Sequence, residues 1–204
     1  MPVTSLDDLY SQKLQLLLDA EQQGLDAVPQ LMQAVHDKKL RDALEMHRRQ
    51  SEEHVRRLER LIGARRRPAE TQECVSMRAL IEETQNTVSS IEDPDTIDAY
   101  IIGAQQAIEH HEIAAYGTAR SWAQQLELED DATSLQRTLD EEGEANELLS
   151  IIAEQRVNER ASKGVDREVG IALGSEADGA GPDGTGRAPG QLTGVEAHRG
   201  ADQR

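Results

Sequence analysis

Acidic and imidazole side chains stand inside the apolar stripes of this chain, where a helix packed in a bundle carries Leu, Ile, Val or Ala. They are Glu21 on one segment, His47 with Ser51 and His54 on a second, Glu109 with Glu112 on a third, and Glu142 with Asn146 on a fourth. One buried acid can be an accident of packing. Several acids and two imidazoles converging on one layer would repel and lose solvation unless a cation lay between them. A metal pair is the simplest such cation, and hard carboxylate oxygens mixed with imidazole suit iron or manganese better than a thiolate-type zinc site.

The spacing puts these groups on shared faces. Glu21 follows Leu14 and Leu17 by seven and four residues, and Leu25 and Val28 continue that face. Its alternative is a place at the stripe's margin, reaching water. His47, Ser51 and His54 occupy successive turns of one stripe, and either histidine alone could instead be a core imidazole satisfied by a carboxylate. Glu109, Glu112 and Tyr116 fall at i, i+3 and i+7, so all three project the same way. Tyr116 could donate a hydrogen bond or an electron there, or simply be a core tyrosine. Glu142 lies between Leu139 and Leu149, flanked by Glu141 and Glu144, which read as solvated. His110 and His111 are adjacent and point about 100° apart, so at most one of them faces Glu109 and Glu112. The common di-iron bundle pattern asks for a Glu on each of two helices and a Glu-x-x-His pair on each of the others. The carboxylates are here but the pairs are not: Ser51 precedes His54 and Ala145 follows Glu142, leaving His47 with Gln50 and Glu142 with Asn146 as the nearest substitutes.

Four long helices and a short one are expected to position these residues. The first begins behind Thr4 or Ser5 and carries Leu9, Leu14, Leu17, Glu21, Leu25, Val28 and Met32, with a bend expected at Pro29. The second starts near Asp37 and ends at Gly63. Met77, Leu80, Ile81, Thr84 and Val88 predict a short helix that stops before Asp93-Pro94. The third long helix opens at Asp95 or Thr96, and the fourth after Glu129-Asp130-Asp131. Short turns join the first pair and the last pair, whereas about thirty residues separate the pairs, enough for the chain to cross the bundle's length. The expected fold is therefore all-α, a ferritin-like four-helix bundle with a long crossover containing the extra helix.

Composition narrows the function classes. Phe is absent and aromatics are 2%, so the core must be aliphatic. A formal net charge of -17 opposes nucleic-acid backbones, anionic membranes and acidic partners. The short Arg65-Arg66-Arg67 turn reads as a solvated loop in that acidic setting. The lone Cys74 cannot form an internal disulfide, the N-terminus lacks the pattern of a secretory signal, and no apolar run is long enough to span a bilayer. The expected location is cytoplasmic. Ten of the fifteen glycines lie between Gly164 and Gly200, so residues 1–160 are read as the bundle and 161–204 as a disordered tail.

Four collinear segments between residues 4 and 160 resemble the YciF/YciE stress-protein family: Leu18 to Pro29, His47 to Glu59, Ile108 to Thr118, and Leu139 to Glu142. The Glu-His-x-Glu-Ile-x-x-Tyr-Gly run from Glu109 to Gly117 is the most distinctive of them. The resemblance implies a ferritin-like bundle, a homodimer and a metal site whose ligands are Glu21, His47, Glu109, Glu112 and Glu142. His54 is a candidate on the stripe argument alone, and with Gln50, His110, Tyr116 and Asn146 is expected around the ligands. Gln50, Ser51 and Asn146 stand where the family carries acids or Thr. The function expected is a stress-associated protein with a di-metal site that handles oxygen or peroxide, of oxidase or peroxidase type if it is an enzyme. The rival is a metal-free helical interaction protein whose inward polar groups satisfy one another.

Overall fold

Three short side chains start the first two helices and the third long one. The structure, a computed structural model, describes residues 3–65 and 72–163. Ser5 accepts a hydrogen bond from the Asp8 amide at 3.1 Å and opens α1, Leu6–Ala34. Asp37 accepts from the amides of Lys39 and Leu40 and opens α2, Lys38–Gly63. Asp93 accepts from Thr96, with Pro94 in the first turn, and opens α4, Pro94–Gln125. Between them lies α3, Val75–Val88. The start of α5, Glu129–Ile152, departs from the sequence expectation: Glu129, Asp130 and Asp131 form its first turn rather than preceding it. Three carboxylates near the exposed amides of a helix N-terminus are stabilising, so no capping side chain is needed. The helix then passes through a π-helical stretch, Ala153–Val157, into a last short helix α6, Asn158–Ser162.

The ends of the helices fix the topology. Arg65, just past α2, pairs with Asp7 at the start of α1, and its Nη1 lies 3.8 Å from Asp131 at the start of α5. At the opposite end Asp98, in the first turns of α4, accepts from the backbone amides of His36 and Asp37 in the α1–α2 turn, at 2.8 and 2.7 Å. Hence α1 is antiparallel to α2 and parallel to α5, and α4 starts at the end of the bundle where α2 starts. The segment containing α3 must traverse the bundle's length, and α3 packs on α1 and α4 as it does so. This is the ferritin-like four-helix bundle with a crossover helix. Among the described residues no helix is long and apolar enough to cross a membrane.

Two aliphatic layers occupy the two ends. Tyr10, Leu14, Leu17, Leu58, Leu61, Ala119 and Leu135 fill one. Val35, Leu40, Leu44, Ile101, Ile102, Leu149 and Val157 fill the other. A third, smaller cluster of Ala20, Met77 and Ile108 lies under α3. Leu9, placed on the inward stripe by its spacing, is 39% exposed and the neighbouring Tyr10 is buried instead, its hydroxyl donating to Asp131. Arg65 is not a solvated loop residue: it stacks over the Tyr10 ring at 5.1 Å and clamps two helix ends. Ala161 and Ser162, expected to open the tail, belong to α6 instead; Arg66, Arg67 and the expected tail beyond residue 163 lie outside the described residues.

Candidate metal centre

Between the two aliphatic layers the stripes of α2 and α4 turn polar. Moving along α2, Leu40 and Leu44 give way to His47, Ser51 and His54 before Leu58 and Leu61 resume. On α4 the same switch runs from Ile101 and Ile102 through Gln105, Glu109, Glu112 and Tyr116 to Ala119. Glu21 of α1 and Glu142 of α5 enter at the same level. None of Glu21, His47, His54, Glu109, Glu112 and Glu142 is more than 6% exposed. An ion taken out of water to this depth costs several kcal/mol even after relaxation, so four bare carboxylates in one layer demand compensation.

The ligating atoms fall into two groups, each with its atoms within 4.8 Å of one another: His47, Glu109, Glu112 and Glu142 in one, Glu21, His54 and Glu142 in the other. Glu142 belongs to both. Its Oε2 is 4.0 Å from His47 Nδ1, and its Oε1 is 2.9 Å from His54 Nδ1. In the first group His47 Nε2 stands 3.3 Å from Glu109 Oε1, which also accepts from Gln105 at 2.8 Å. In the second, Glu21 Oε1 lies 3.1 Å from His54 Nδ1 and accepts from the Tyr116 hydroxyl at 2.6 Å.

His54 is braced from outside the layer. Its Nε2 lies 2.9 Å from Glu141 Oε2, and Arg57 grips both oxygens of that carboxylate at 2.5 and 3.0 Å while donating to Thr138 Oγ1. Burial alone would raise the Glu141 pKa, but Arg57 and His54 outweigh it and hold the carboxyl at about 2. A carboxylate on the far nitrogen fixes the tautomer of an imidazole and leaves the near nitrogen free to ligate. Desolvation opposes charge on His54 as well, yet Glu21 and Glu141 leave its net shift upward.

Burial, followed by the neighbouring carboxylates, pushes Glu112 and Glu142 well above the usual carboxylate range. Burial and Glu21 likewise push up the Tyr116 hydroxyl, which therefore stays protonated and donates. Glu142 has only the His54 ring at 2.9 Å and a proton shared with Glu109 as partners, while Glu21 Oε2 and His47 Nδ1 have none. A carboxylate oxygen and a ring nitrogen left over in one buried layer are what a closed hydrogen-bond network would not leave. A cation would satisfy them, and the oxygen and imidazole donors fit iron or manganese.

Of the residues expected around the ligands, His54 stands among the ligating atoms themselves and Tyr116 touches Glu21. The others turn elsewhere. His110 is exposed and its Nδ1 bonds the Gln106 carbonyl, because it lies off the inward stripe of α4. Asn146 accepts from Gln106 at 3.2 Å, and Gln50 lines the outer α2–α5 surface beside Arg137 and Glu141. His111 meets Cys74 and Ser76 at the crossover, and with Ser76 it draws the Cys74 thiol down to about 7 against the opposing effect of burial. Sequence reasoning missed Arg57 and Thr138, and took Glu141 for a solvated residue. The signal for Arg57 was available: it follows His54 by three residues, on nearly the same face.

Tyr116→Phe removes the donor to Glu21 and nothing else. The expected loss is about 1 to 3 kcal/mol, the cost of leaving a buried carboxylate oxygen less satisfied, read as a lower melting temperature. An unchanged melting temperature would mean that water or a proton replaces the hydroxyl.

Comparisons with known proteins agree with this architecture. The family model described as "Domain of unknown function (DUF892)" matches residues 5–162. Protein YciF of Escherichia coli (strain K12) is 31% identical over 162 residues, covering 79% of this chain and 98% of its own length. The crystal structure of the E. coli stress protein YciF superposes with a TM-score of 0.73 at 30% identity, covering 76% of this chain and 99% of that one. YcfI from Rhodopseudomonas palustris superposes with a TM-score of 0.70, also at 30% identity, covering 72% of this chain and 94% of that one.

Proposed function

The chain belongs to the YciF family, and from that premise we propose that its polar layer holds two metal ions, iron or manganese, in a cytoplasmic homodimer that disposes of an oxygen species under stress. The observation that carries this reading is Glu142, shared by both ligand groups with one oxygen turned to each imidazole. Without a cation, its oxygens have only the His54 ring at 2.9 Å and a proton shared with Glu109 to offset their burial. When bound, such a pair supplies redox chemistry toward dioxygen or peroxide that no side chain here has.

The remaining work is done by the chain. Glu21, His47, His54, Glu109, Glu112 and Glu142 would hold the ions. Gln105, Tyr116, Glu141 and Arg57 aim those ligands, and the aliphatic layers on either side keep bulk water out. A metal-free role as a helical interaction protein is the competing outcome, and metal content decides between them.

The experiment is elemental analysis of protein purified without chelator, joined to an anaerobic iron(II) titration followed optically before and after air is admitted. About two ions per chain, the complement of a ferritin-like di-metal site, with an absorption change on oxidation, is the expected result. Equal and negligible metal in the wild type and in a Glu21→Ala, His47→Ala, Glu109→Ala triple variant would leave a hydrogen-bonded core and remove the proposal.

A further inference from the structure

An apolar cavity opens beside the polar layer, under the crossover helix. Leu25, Val28 and Leu31 of α1, Ile81 of α3 and Ile108 of α4 give it a largely apolar surface, and Arg48, Thr84 and Gln85 also line it. Its inner end is made by Glu21, His47, Ser51, Gln105 and Glu112, so the cavity reaches both ligand groups. Its volume is about 30 Å³. A water needs roughly 10 to 15 Å³ on this scale, and an apolar cavity that admits benzene measures about 150 Å³. The space therefore takes something of two or three heavy atoms, and an organic substrate does not fit.

Gly24 stands on the wall of this cavity, three residues from Glu21 on the same face of α1. A Cβ built at Gly24 meets no atom within 4 Å, so a methyl fits there and only a larger side chain would fill the space. The backbone is ordinary α-helix, so the missing side chain leaves space and serves no turn.

Resting on the di-metal reading above, we infer that this cavity is the entrance for dioxygen, that its size excludes organic substrates, and that the lack of a bulky side chain at position 24 keeps it open. The selection is by size, and it bears on organic molecules; Glu21, Ser51, Gln105 and Glu112 at the inner end offer acceptors to a peroxide as well. The crossover helix contributes one wall through Ile81 and Thr84, which gives α3 a purpose beyond connecting the two helix pairs.

The test uses dissolved dioxygen itself as a paramagnetic probe of the full-length, metal-free chain. Methyl resonances are recorded by NMR under oxygen and under nitrogen at equal pressure. The methyls of Val28 and Ile108, each 7% exposed, are expected to relax several-fold faster under oxygen than those of Leu61, which is 8% exposed but lies in an aliphatic layer. In Gly24→Leu that excess should vanish, iron(II) stoichiometry should stay at the wild-type value, and oxidation after admitting air should slow about tenfold, as expected when entry becomes limiting. Gly24→Ala, whose single methyl fits the open space, should match the wild type in all three. Uniform relaxation across the core methyls of the wild-type chain overturns the entrance, whatever the variants do. So does Gly24→Leu that keeps both the excess relaxation and the wild-type oxidation rate. Failure of the metal reading shows separately, as an iron(II) stoichiometry near zero in the wild type.

Discussion

Glu142→Ala is expected to empty both halves of the polar layer at once. Glu142 is the one residue common to the two ligand groups, and without it the second half retains only Glu21 and His54. The first half keeps His47, Glu109 and Glu112 but loses the oxygen that faces the His47 ring. Bound iron(II) should fall from about two per chain to nearly none. Glu109→Ala removes a ligand from the first half alone and should leave about one. The fold should survive both changes: the deleted carboxyls lie in a layer already crowded with acids, so removing one relieves repulsion as well as leaving a void. Far-UV circular dichroism checks the helices, and an anaerobic titration reads the stoichiometry. Two ions retained by Glu142→Ala, or identical losses in the two variants, would show that the halves do not share this carboxylate.

That contrast also separates what could be read from the sequence from what could not. Each ligating residue lies on an apolar stripe with a period of three or four, and a stripe specifies which way a side chain points once its helix exists. Glu21 between Leu17 and Val28, and Glu109 with Glu112 before Tyr116, were therefore legible from spacing. The pairing of His54 was not. Its acids come from α1, α5 and the position beside Glu142, and no spacing within α2 encodes them. Glu141 is one residue off the stripe, about 100° around the helix, a place that normally means solvent. It is drawn in because Arg57 and His54 of a neighbouring helix reach it. Asn146 shows the reverse: its i+4 relation to Glu142 suggested a shared role, but Gln106 on α4 lies nearer and takes its oxygen.

The crossover was legible for a different reason. Its length, and the breaker at Asp93-Pro94, bounded the topologies available to four helices, and α3 followed from its own short pattern. The π-helical stretch and α6 left no such trace. Their reason lies in contacts far away in sequence: Arg156 and Arg160 both reach Asp37 Oδ2, at 2.8 and 2.9 Å, and Arg160 also lies 3.0 Å from Asp95 Oδ1 and 3.5 Å from Asp98 Oδ2. Side-chain pattern within the last helix cannot reveal partners contributed by the turn between the first two.

Asp98→Ala should unlock that end of the bundle. Asp98 is fully buried, and its two oxygens accept from the backbone amides of His36 and Asp37, so one side chain sets the turn that carries the Asp37 cap of α2. Alanine leaves two amides without an acceptor and takes a counter-charge from Arg160, and removing one member of a buried charged network typically costs about 3 to 5 kcal/mol. The partial exposure of Arg160 lets water recover some of this, so a loss of about 3 kcal/mol is expected, or roughly 6 to 12 °C in melting temperature for a chain of this size. Asp98→Asn, which keeps one acceptor oxygen, should recover part of it. Lys38→Ala, which breaks an exposed pair with Asp42, should change little, as surface pairs generally do. Because Asp98 lies beyond the aliphatic layer of Leu40, Leu44 and Ile101, metal stoichiometry in the folded variant should equal that of the wild type. A melting temperature within one or two degrees of the wild type would mean that water caps the turn equally well, and that the arginines of the last helix hold it through Asp37 alone.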